Sequence, residues 1–410
     1  MRQQRSRRLG AVAAVGAVVA AMGVIGAAPA VAQDECLSVN EVQVFGSSSN
    51  CDTNSTPGST AVAASAQVSQ AFADATDGSQ AIAAALLDSQ AIANAGDGTG
   101  NRALSLASND GETNAAAGVG SDNDAQARAS GSSTATAKAG SGDSNKAFAV
   151  AANHAGAAAE AAGGHDNIAN ANAANGGDAT ATAGDSGNFN SAISSADHGS
   201  TARANAVEGE NNTAQALADN GSAADAAATD GNRNLALAHA DHGGNANAFA
   251  FDGNDNIGMA GADQGGFAIA IAGDEGSNNL ALSNAVGKGS TSNAATANGN
   301  NDVAVAGSAA NSNAIAGAGG NNSTAGAVAA GDALARATAV NGGAAGAGAL
   351  LGGQANAVGD DFNALAVAAG SGSTATADGT TPTCTGNLSA AVQTNDGAFC
   401  VNFFGLNVNG

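Results

Sequence analysis

The centre of the chain is an internal repeat of about 22 residues, and this period limits the folds open to it. Each unit has a glycine, an asparagine three residues later, and then alanine at alternate positions. The unit at 231–252 reads GNRNLALAHADHGGNANAFAFD. The asparagines of nine successive units are Asn101, Asn123, Asn145, Asn167, Asn190, Asn212, Asn234, Asn256 and Asn279, and Asp302 continues the series. A period this regular predicts a stack of similar units rather than a globule around one core.

The alternation within each unit predicts two short β-strands separated by glycine turns. The alanine content alone would favour helix, but glycines about every eleven residues would end a helix before it became stable. Positions such as Ala236, Ala238 and Ala240 hold small residues in almost every unit. The positions between them accept Asp124 in one unit and Leu235 in another. The small residues are therefore expected to face inward and the variable ones outward.

These features predict an all-β fold, a parallel β-solenoid with a flattened, two-sided coil of about 22 residues. The inner asparagines would form a ladder of amide hydrogen bonds between coils; the alternative is that each Asn serves only as a turn residue beside glycine. Three short sheets per coil are a further alternative to two. The chain has no Trp, no Tyr and only 11 Phe, so a core of large side chains is excluded, because alanine buries little area. Disorder is the remaining alternative, and the regular period argues against it.

The N-terminus has the pattern of a secretory signal peptide. Four arginines precede an apolar stretch at 9–25, and Ala30-Val31-Ala32 forms a small-x-small cleavage site. A membrane anchor is the alternative, but this stretch is short and contains glycines. Cleavage would leave 8 basic and 35 acidic residues, a net charge of −27. We therefore expect a secreted or cell-surface protein that has no later membrane span and does not bind nucleic acid.

Four cysteines lie near the two ends of the exported chain: Cys36 and Cys51, then Cys384 and Cys400. Four cysteines allow three connectivities. About thirteen stacked coils would separate the ends by roughly 60 Å, whereas bridged Cα atoms lie within roughly 7 Å. Local disulfides, Cys36–Cys51 and Cys384–Cys400, are therefore expected, and each would close a cap over an open edge of the solenoid. The predicted organisation is a signal peptide at 1–32, a cap at 33–58, the solenoid at 59–379 and a cap at 380–410.

Two series of acidic residues recur at the turns with the period of the repeat. The first is Asp197, Asp219, Asp241 and Asp263, and the second is Glu208, Asp230, Asp252 and Asp274. Stacked carboxylates repel each other, and calcium, which prefers oxygen ligands, would neutralise them. The unit is similar to the glycine-aspartate nonapeptides of RTX calcium-binding β-rolls. The alternative is ordinary turn chemistry, so calcium is a possible ligand and no cofactor is required.

Part of the outward surface is apolar, which is typical of an interaction surface. Its members are Leu235, Leu237, Ile257, Met259, Leu280, Leu282, Val303 and Val305 on one face, and Phe249, Phe251, Phe267, Ile269 and Ile271 on the other. The alternatives are that a cap or loop covers these side chains, or that inward and outward positions exchange there.

The G-x-x-N-x-A core resembles the repeats of curlins, the secreted subunits of biofilm fibres. The matching positions are the glycines from Gly98 to Gly276, the asparagines from Asn101 to Asn279, and the alanines two residues after each asparagine except Asn256. The alternation of Ala, Gly, Ser and Asn also looks like the head domains of trimeric autotransporter adhesins. In composition the chain resembles exported alanine- and asparagine-rich proteins of GC-rich bacteria. The likenesses to the curlins and to the autotransporter heads cover roughly residues 60–380, and they imply a secreted or surface-exposed repeat scaffold.

No catalytic motif occurs in the sequence, so we do not expect an enzyme. His239 and His242 form a lone pair across a turn, which is weak evidence for a metal site. A polysaccharide-active β-helix enzyme is a remote alternative, since sugar clefts use aromatic platforms and paired carboxylates. We predict a structural or adhesive scaffold that binds other copies of itself or components of the cell surface or matrix, with an RTX-like calcium-binding module as the alternative.

Overall fold

The structure is a computed structural model, and it describes most of the repeat region in segments. The described residues are 35–38, 52–55, 60–66, 70–76, 80–86, 90–96, 101–108, 112–118, 122–131, 134–141, 144–154, 156–163, 166–184, 189–199, 201–208, 211–221, 223–230, 233–252, 255–264, 266–273, 278–287, 289, 291–296, 301–311, 313–319, 322, 324–332, 334–339, 344–351, 354–359, 364–369, 374–378, 383–385, 388–394, 397–402 and 407–409. They divide into two compact units, Met1–Ala158 (unit 1) and Ala159–Gly410 (unit 2). Within the described residues, no helix has the length and apolar character needed to span a bilayer.

All regular elements among these residues are β-strands. Up to the boundary between the units they are β1 (Glu35–Ser38), β2 (Asn54–Ser55), β3 (Thr60–Ala66), β4 (Ala71–Thr76), β5 (Gln80–Leu86), β6 (Ala91–Gly96), β7 (Arg102–Ser108), β8 (Thr113–Gly118), β9 (Asp124–Ser130), β10 (Thr134–Gly140), β11 (Lys146–Ala152) and β12 (Gly156–Ala162). Unit 2 continues with β13 (Ile168–Ala174), β14 (Ala179–Gly184), β15 (Ser191–Ala196), β16 (Thr201–Val207), β17 (Thr213–Ala218), β18 (Ala223–Thr229), β19 (Leu235–Ala240), β20 (Asn245–Ala250), β21 (Ile257–Ala262), β22 (Phe267–Ala272), β23 (Leu280–Val286) and β24 (Thr291–Thr296). The last strands are β25 (Val303–Ala309), β26 (Asn313–Ala318), β27 (Thr324–Ala330), β28 (Ala335–Ala339), β29 (Ala345–Leu350), β30 (Ala355–Gly359), β31 (Ala364–Ala369), β32 (Thr374–Asp378), β33 (Thr383–Thr385), β34 (Leu388–Thr394), β35 (Gly397–Asn402) and β36 (Asn407–Asn409).

Each unit is a parallel β-solenoid with two sheets, as the sequence predicts. In unit 1 the odd strands β3 to β11 pair in parallel in one sheet, and the even strands β2 to β10 pair in parallel in the other. In unit 2 the odd strands β13 to β31 and the even strands β14 to β32 do the same. One coil therefore consists of two strands and the turns that connect them.

The length of a coil follows from which residues pair. Ala125 pairs with Ala147, a step of 22 residues, and Ala169 pairs with Ala192, a step of 23. Shorter coils occur where the asparagine series is absent: Ala61 pairs with Ala81 in unit 1. In unit 2 Ala345 pairs with Ala364. The strands β3 and β29 keep six or seven residues there, so most of the missing residues are lost from the turns.

The core is a double layer of alanine methyl groups between the two sheets. Inner positions of nearly every strand, such as Ala125, Ala236 and Ala248, are fully buried. The sheets are so close at Gly258 that an added Cβ would lie 2.6 Å from the carbonyl oxygen of Ile271 on the opposite sheet. Only the smallest side chains fit between layers this close, which explains why a helix-favouring residue dominates a β fold.

Strand pairing changes from parallel to antiparallel at the first strand of unit 1 and at the last strands of unit 2. In unit 1, β1 is antiparallel to β3. In unit 2, β33 is antiparallel to β32, and β34, β35 and β36 continue from β31 as an antiparallel meander. The predicted caps, and the domain boundaries that define them, stay predictions. The signal peptide at 1–32 and Cys51 lie outside the described residues, as do the side chains of Cys36, Cys384 and Cys400.

Candidate functional site: the neutral face of unit 2

The outward side chains of the odd strands β13 to β31 form one face of unit 2, which we call the neutral face. None of these outward positions holds Asp, Glu, Lys or Arg. The whole chain has a formal charge of −23. The described acidic residues of unit 2 lie almost entirely at the turns, so charge is confined to the edges of this face.

Eight of the predicted apolar residues form two columns across four successive coils of the neutral face. The first column is Leu235, Ile257, Leu280 and Val303, and the second is Leu237, Met259, Leu282 and Val305. All eight point outward, in alternation with buried alanines or other small residues. Met259 and Val305 are the most exposed, at 39% each.

A third column completes the neutral face and was not singled out from the sequence. It consists of Leu217, His239, Gly261, Asn284 and Gly307. A Cβ added to Gly261 would lie 3.0 Å from His239 Nδ1, and one added to Gly307 would lie 3.2 Å from Asn284 Oδ1. The polar side chains therefore lean over the glycines. A shallow groove of about 570 Å³ follows this column beside the second. Aligning the repeats by their register would have placed these residues in the site.

The remaining predicted apolar residues lie on the opposite sheet and do not join this surface. In the even strands Phe249 pairs with Ile271, and the outward positions Phe267 and Ile269 pair with Asn245 and Asn247. Phe251 follows the end of β20 and stacks on Phe249 with ring centroids 5.7 Å apart. The structure thus divides the predicted patch into an aliphatic part on the neutral face and an aromatic part on the other face.

The first acidic ladder, Asp197 to Asp263, lies directly after the odd strands and borders the neutral face. Each Asp precedes a residue with a left-handed backbone: His198, Asn220, His242 and Gln264. In three of these turns the Asp Oδ1 accepts the N–H of that next residue at 2.7 Å. A short polar side chain that accepts from the backbone of its own turn supports that turn.

Neighbouring turns of this ladder also contact each other. Asn220 Nδ2 donates to Asp197 Oδ1 at 2.8 Å, and this bond lowers the pKa of Asp197 more than burial raises it; contacts with His198 lower it further. His242 Nδ1 lies 3.2 Å from Asp219 Oδ1 and 3.1 Å from Asp241 Oδ2. Ligand atoms of Asp219, Asp241 and His242 lie within 4.8 Å of one another. These hydrogen bonds support the turn interpretation of the ladder, and calcium binding stays a prediction that titration calorimetry would check.

The second acidic ladder lies at the turns that follow the even strands. Glu208, Asp230 and Asp252 are exposed and have positive φ angles of 53°, 58° and 54°. Asp274 lies outside the described residues. The structure does not bring this ladder together with the first, because the two follow different sheets.

The asparagine ladder is fully buried from Asn101 to Asn279. The N–H of Asn234 donates to Asn256 Oδ1 at 3.3 Å, and that of Asn256 donates to Asn279 Oδ1 at 3.0 Å. The N–H of Asn279 donates to Asp302 Oδ1 at 3.0 Å. The donor in these links is the main chain, whereas the sequence led us to expect bonds between side-chain amides. From Asn234 to Asp302 these bonds connect one coil to the next.

No family model matches this chain, and neither a curated protein nor a solved structure matches it. The comparisons therefore add no support for membership in the curlins or the trimeric autotransporters. The parallel β-solenoid with coils of about 22 residues is established by the structure itself.

Proposed function

We propose that the protein is a secreted or cell-surface scaffold without enzymatic activity, and that the neutral face of unit 2 is its adhesive surface. The face would bind other copies of the chain or components of the cell surface or matrix. The coil repeats the same outward positions in register, so it can present one surface chemistry over several coils.

The observation that carries this proposal is the absence of charged side chains from the outward positions of β13 to β31 in a chain with a charge of −23. Burying an apolar face releases about 25 cal/mol per Å², whereas burying an unpaired charge opposes association. Acidic residues at the edges keep the chain soluble and do not interrupt the contact surface. This separation of apolar face and charged edge supports a role in binding.

The test is to place a charge in the centre of each apolar surface. We expect Leu237→Asp to reduce self-association or retention on cell-surface or matrix material at least about tenfold, because a carboxylate would be buried in the contact. Phe251→Asp tests the aromatic surface on the other sheet in the same way. Far-UV circular dichroism should be unchanged in both variants, since both side chains point outward or lie at a turn.

Val150→Asp is a matched control, because Val150 is an exposed residue on an odd strand of unit 1. It should leave self-association and retention at the parent level. Parent-level sedimentation and retention in Leu237→Asp would contradict the assignment of adhesion to the neutral face. Parent-level values in both Leu237→Asp and Phe251→Asp would contradict an apolar adhesive surface on either sheet.

A further inference from the structure

We propose that the neutral face binds a second copy of this chain face to face, about a two-fold axis parallel to the strands and midway between β21 and β23. The proposal rests on the proposed function and names the partner of that surface. Such an axis reverses the order of the coils. It places β19 opposite β25 of the partner copy, and β21 opposite β23. Each contact then occurs twice, as in any isologous dimer.

The second column is self-complementary about this axis. Leu237 falls opposite Val305 of the partner copy, and Met259 falls opposite Leu282. The first column behaves in the same way, because it is aliphatic in the same four coils. Apolar side chains therefore meet only apolar side chains in the centre of the contact.

The third column is complementary in size. His239 falls opposite Gly307 of the partner copy, and Asn284 falls opposite Gly261. Each large polar side chain thus meets a position without a side chain, and all four residues line the groove. Sheets that pack face to face need this alternation of large and small side chains to fill the space between them.

The charged edge distinguishes this arrangement from others. The next outward position beyond the third column holds Asp241 and Asp263 after β19 and β21, but Val286 and Ala309 at the ends of β23 and β25. The two-fold axis places Asp241 opposite Ala309 and Asp263 opposite Val286, so no carboxylate faces another. A two-fold axis parallel to the stack could instead place the second column opposite the third column of the partner copy. Leu235 would then lie opposite Asp241 of the partner copy.

The size of the surface is sufficient for a specific dimer. The six strands β17 to β27 of this sheet span about 29 Å along the stack and about 20 Å along the strands. The contact would bury roughly 1,200 Å² in total, which is the lower limit for specific protein interfaces. An interface at this limit is expected to form a reversible dimer, whose population depends on the protein concentration.

The experiment introduces opposite charges at positions that meet only across the interface. Within one chain Leu237 and Val305 are three coils apart, about 14 Å, so Glu and Lys side chains there would not form a close ion pair. Full chains carrying Leu237→Glu or Val305→Lys are studied by sedimentation equilibrium, alone and in an equimolar mixture. We expect each variant alone to dimerise at least about tenfold more weakly than the parent. The mixture should recover dimers, because the carboxylate introduced into one chain then faces the ammonium group introduced into the other.

Leu365→Glu is the matched control, since Leu365 is an exposed leucine of β31 on the same sheet but outside the six strands. It should dimerise like the parent, and circular dichroism should show the same β content in all variants. A monomeric parent, or a mixture that stays monomeric while the parent dimerises, would overturn the proposal. If the parent is monomeric and Leu237→Asp still loses retention on surface material, the scaffold function stands and only the dimer fails.

Discussion

Unit 1 and unit 2 have the same interior but different outward surfaces on their odd strands. In unit 1, Arg102, Asp124 and Lys146 stack at one outward position, and Arg128 lies at another. In unit 2 the equivalent positions carry no charged side chain from β13 to β31. The inner positions of both units hold buried alanine. The fold therefore requires small residues at the inward positions of each strand and leaves the outward positions free to vary.

This difference shows where selection for binding can act in such a chain. The inner residues set the distance between the sheets, so they must be small in every coil. The outer residues contact neighbours only along their own sheet, and each of them can change without altering the coil. An adhesive surface can therefore arise in one unit while the same repeat stays charged in the other.

The largest effect is expected from enlarging an inner residue, which tests whether the two interiors are equivalent. Ala125→Leu in unit 1 and Ala236→Leu in unit 2 both replace a fully buried methyl group. Each should lower the free energy of unfolding by about 3 kcal/mol, because the sheets cannot separate locally to admit the larger side chain. Chemical denaturation followed by circular dichroism would measure the loss. The outward substitutions Gln126→Leu and Gln215→Leu are the controls and should have little effect. A large loss in only one unit would show that the interiors differ.

The next effect concerns the asparagine ladder, whose members in the two units differ in their hydrogen bonds from one position to the next. Asn256→Ala removes the acceptor for the buried N–H of Asn234, and an unsatisfied buried donor costs about 1–3 kcal/mol. In unit 1, neither amide atom of Asn101 has a hydrogen-bond partner within the described part of the chain. Asn101→Ala should therefore lower the stability less than Asn256→Ala does. Denaturation midpoints of the two variants would check this, and equal losses would contradict the difference.

Much of this fold follows from the sequence because the repeat reveals the inside and the outside of the coil. Positions that hold Ala in nearly every unit, such as Ala236 and Ala238, are buried, and variable neighbours such as Leu237 are not. The shorter coils, such as the one from Ala61 to Ala81, could not be predicted. They lack the asparagine that marks the period. The number of residues in a turn also cannot be inferred from the alternation of small and variable residues, because that alternation occurs only in the strands.

The candidate site was predicted only in part, for a similar reason. The aliphatic columns are visible in the sequence because they are apolar. The groove depends on glycine at Gly261 and Gly307, and on the way His239 and Asn284 lean over them. Glycine in a glycine-rich repeat carries no signal until the strands are aligned in register.

A smaller effect is expected from the charges on unit 1. The side chains of Arg102 and Asp124 are 51% and 28% exposed, and Arg102 Nε lies 3.9 Å from Asp124 Oδ2. Exposed ion pairs of this kind contribute less than about 1 kcal/mol. Asp124→Leu should therefore change the free energy of unfolding by less than that amount. Denaturation of this variant beside Arg102→Leu would measure it. A loss of several kcal/mol would mean that the outward positions of unit 1 also support the fold.

The smallest effect concerns the edge of the neutral face, where unit 2 carries its charge. The Asn220 amide lowers the pKa of Asp197, with a smaller contribution from His198, and burial opposes both. Because the pKa is lower in the folded chain, the stabilisation is present above the unfolded pKa of about 3.9. It is lost as the pH falls through the folded value. Asn220→Gly removes the amide and keeps a residue that tolerates the left-handed backbone at this position. It should raise the pKa of Asp197 towards its ordinary value, and the part of its stability loss that depends on pH should vanish in strong acid.

Carboxyl NMR titration would measure the pKa of Asp197 directly, and Asn293→Ala on the even sheet is the control that should leave it unchanged. An unchanged pKa in Asn220→Gly would mean that the bond from Asn220 does not moderate the repulsion at Asp197. Bound cations would then become a stronger candidate for holding those carboxylates about 5 Å apart. The calcium hypothesis would gain support, and the charged edge would become a second functional region beside the neutral face.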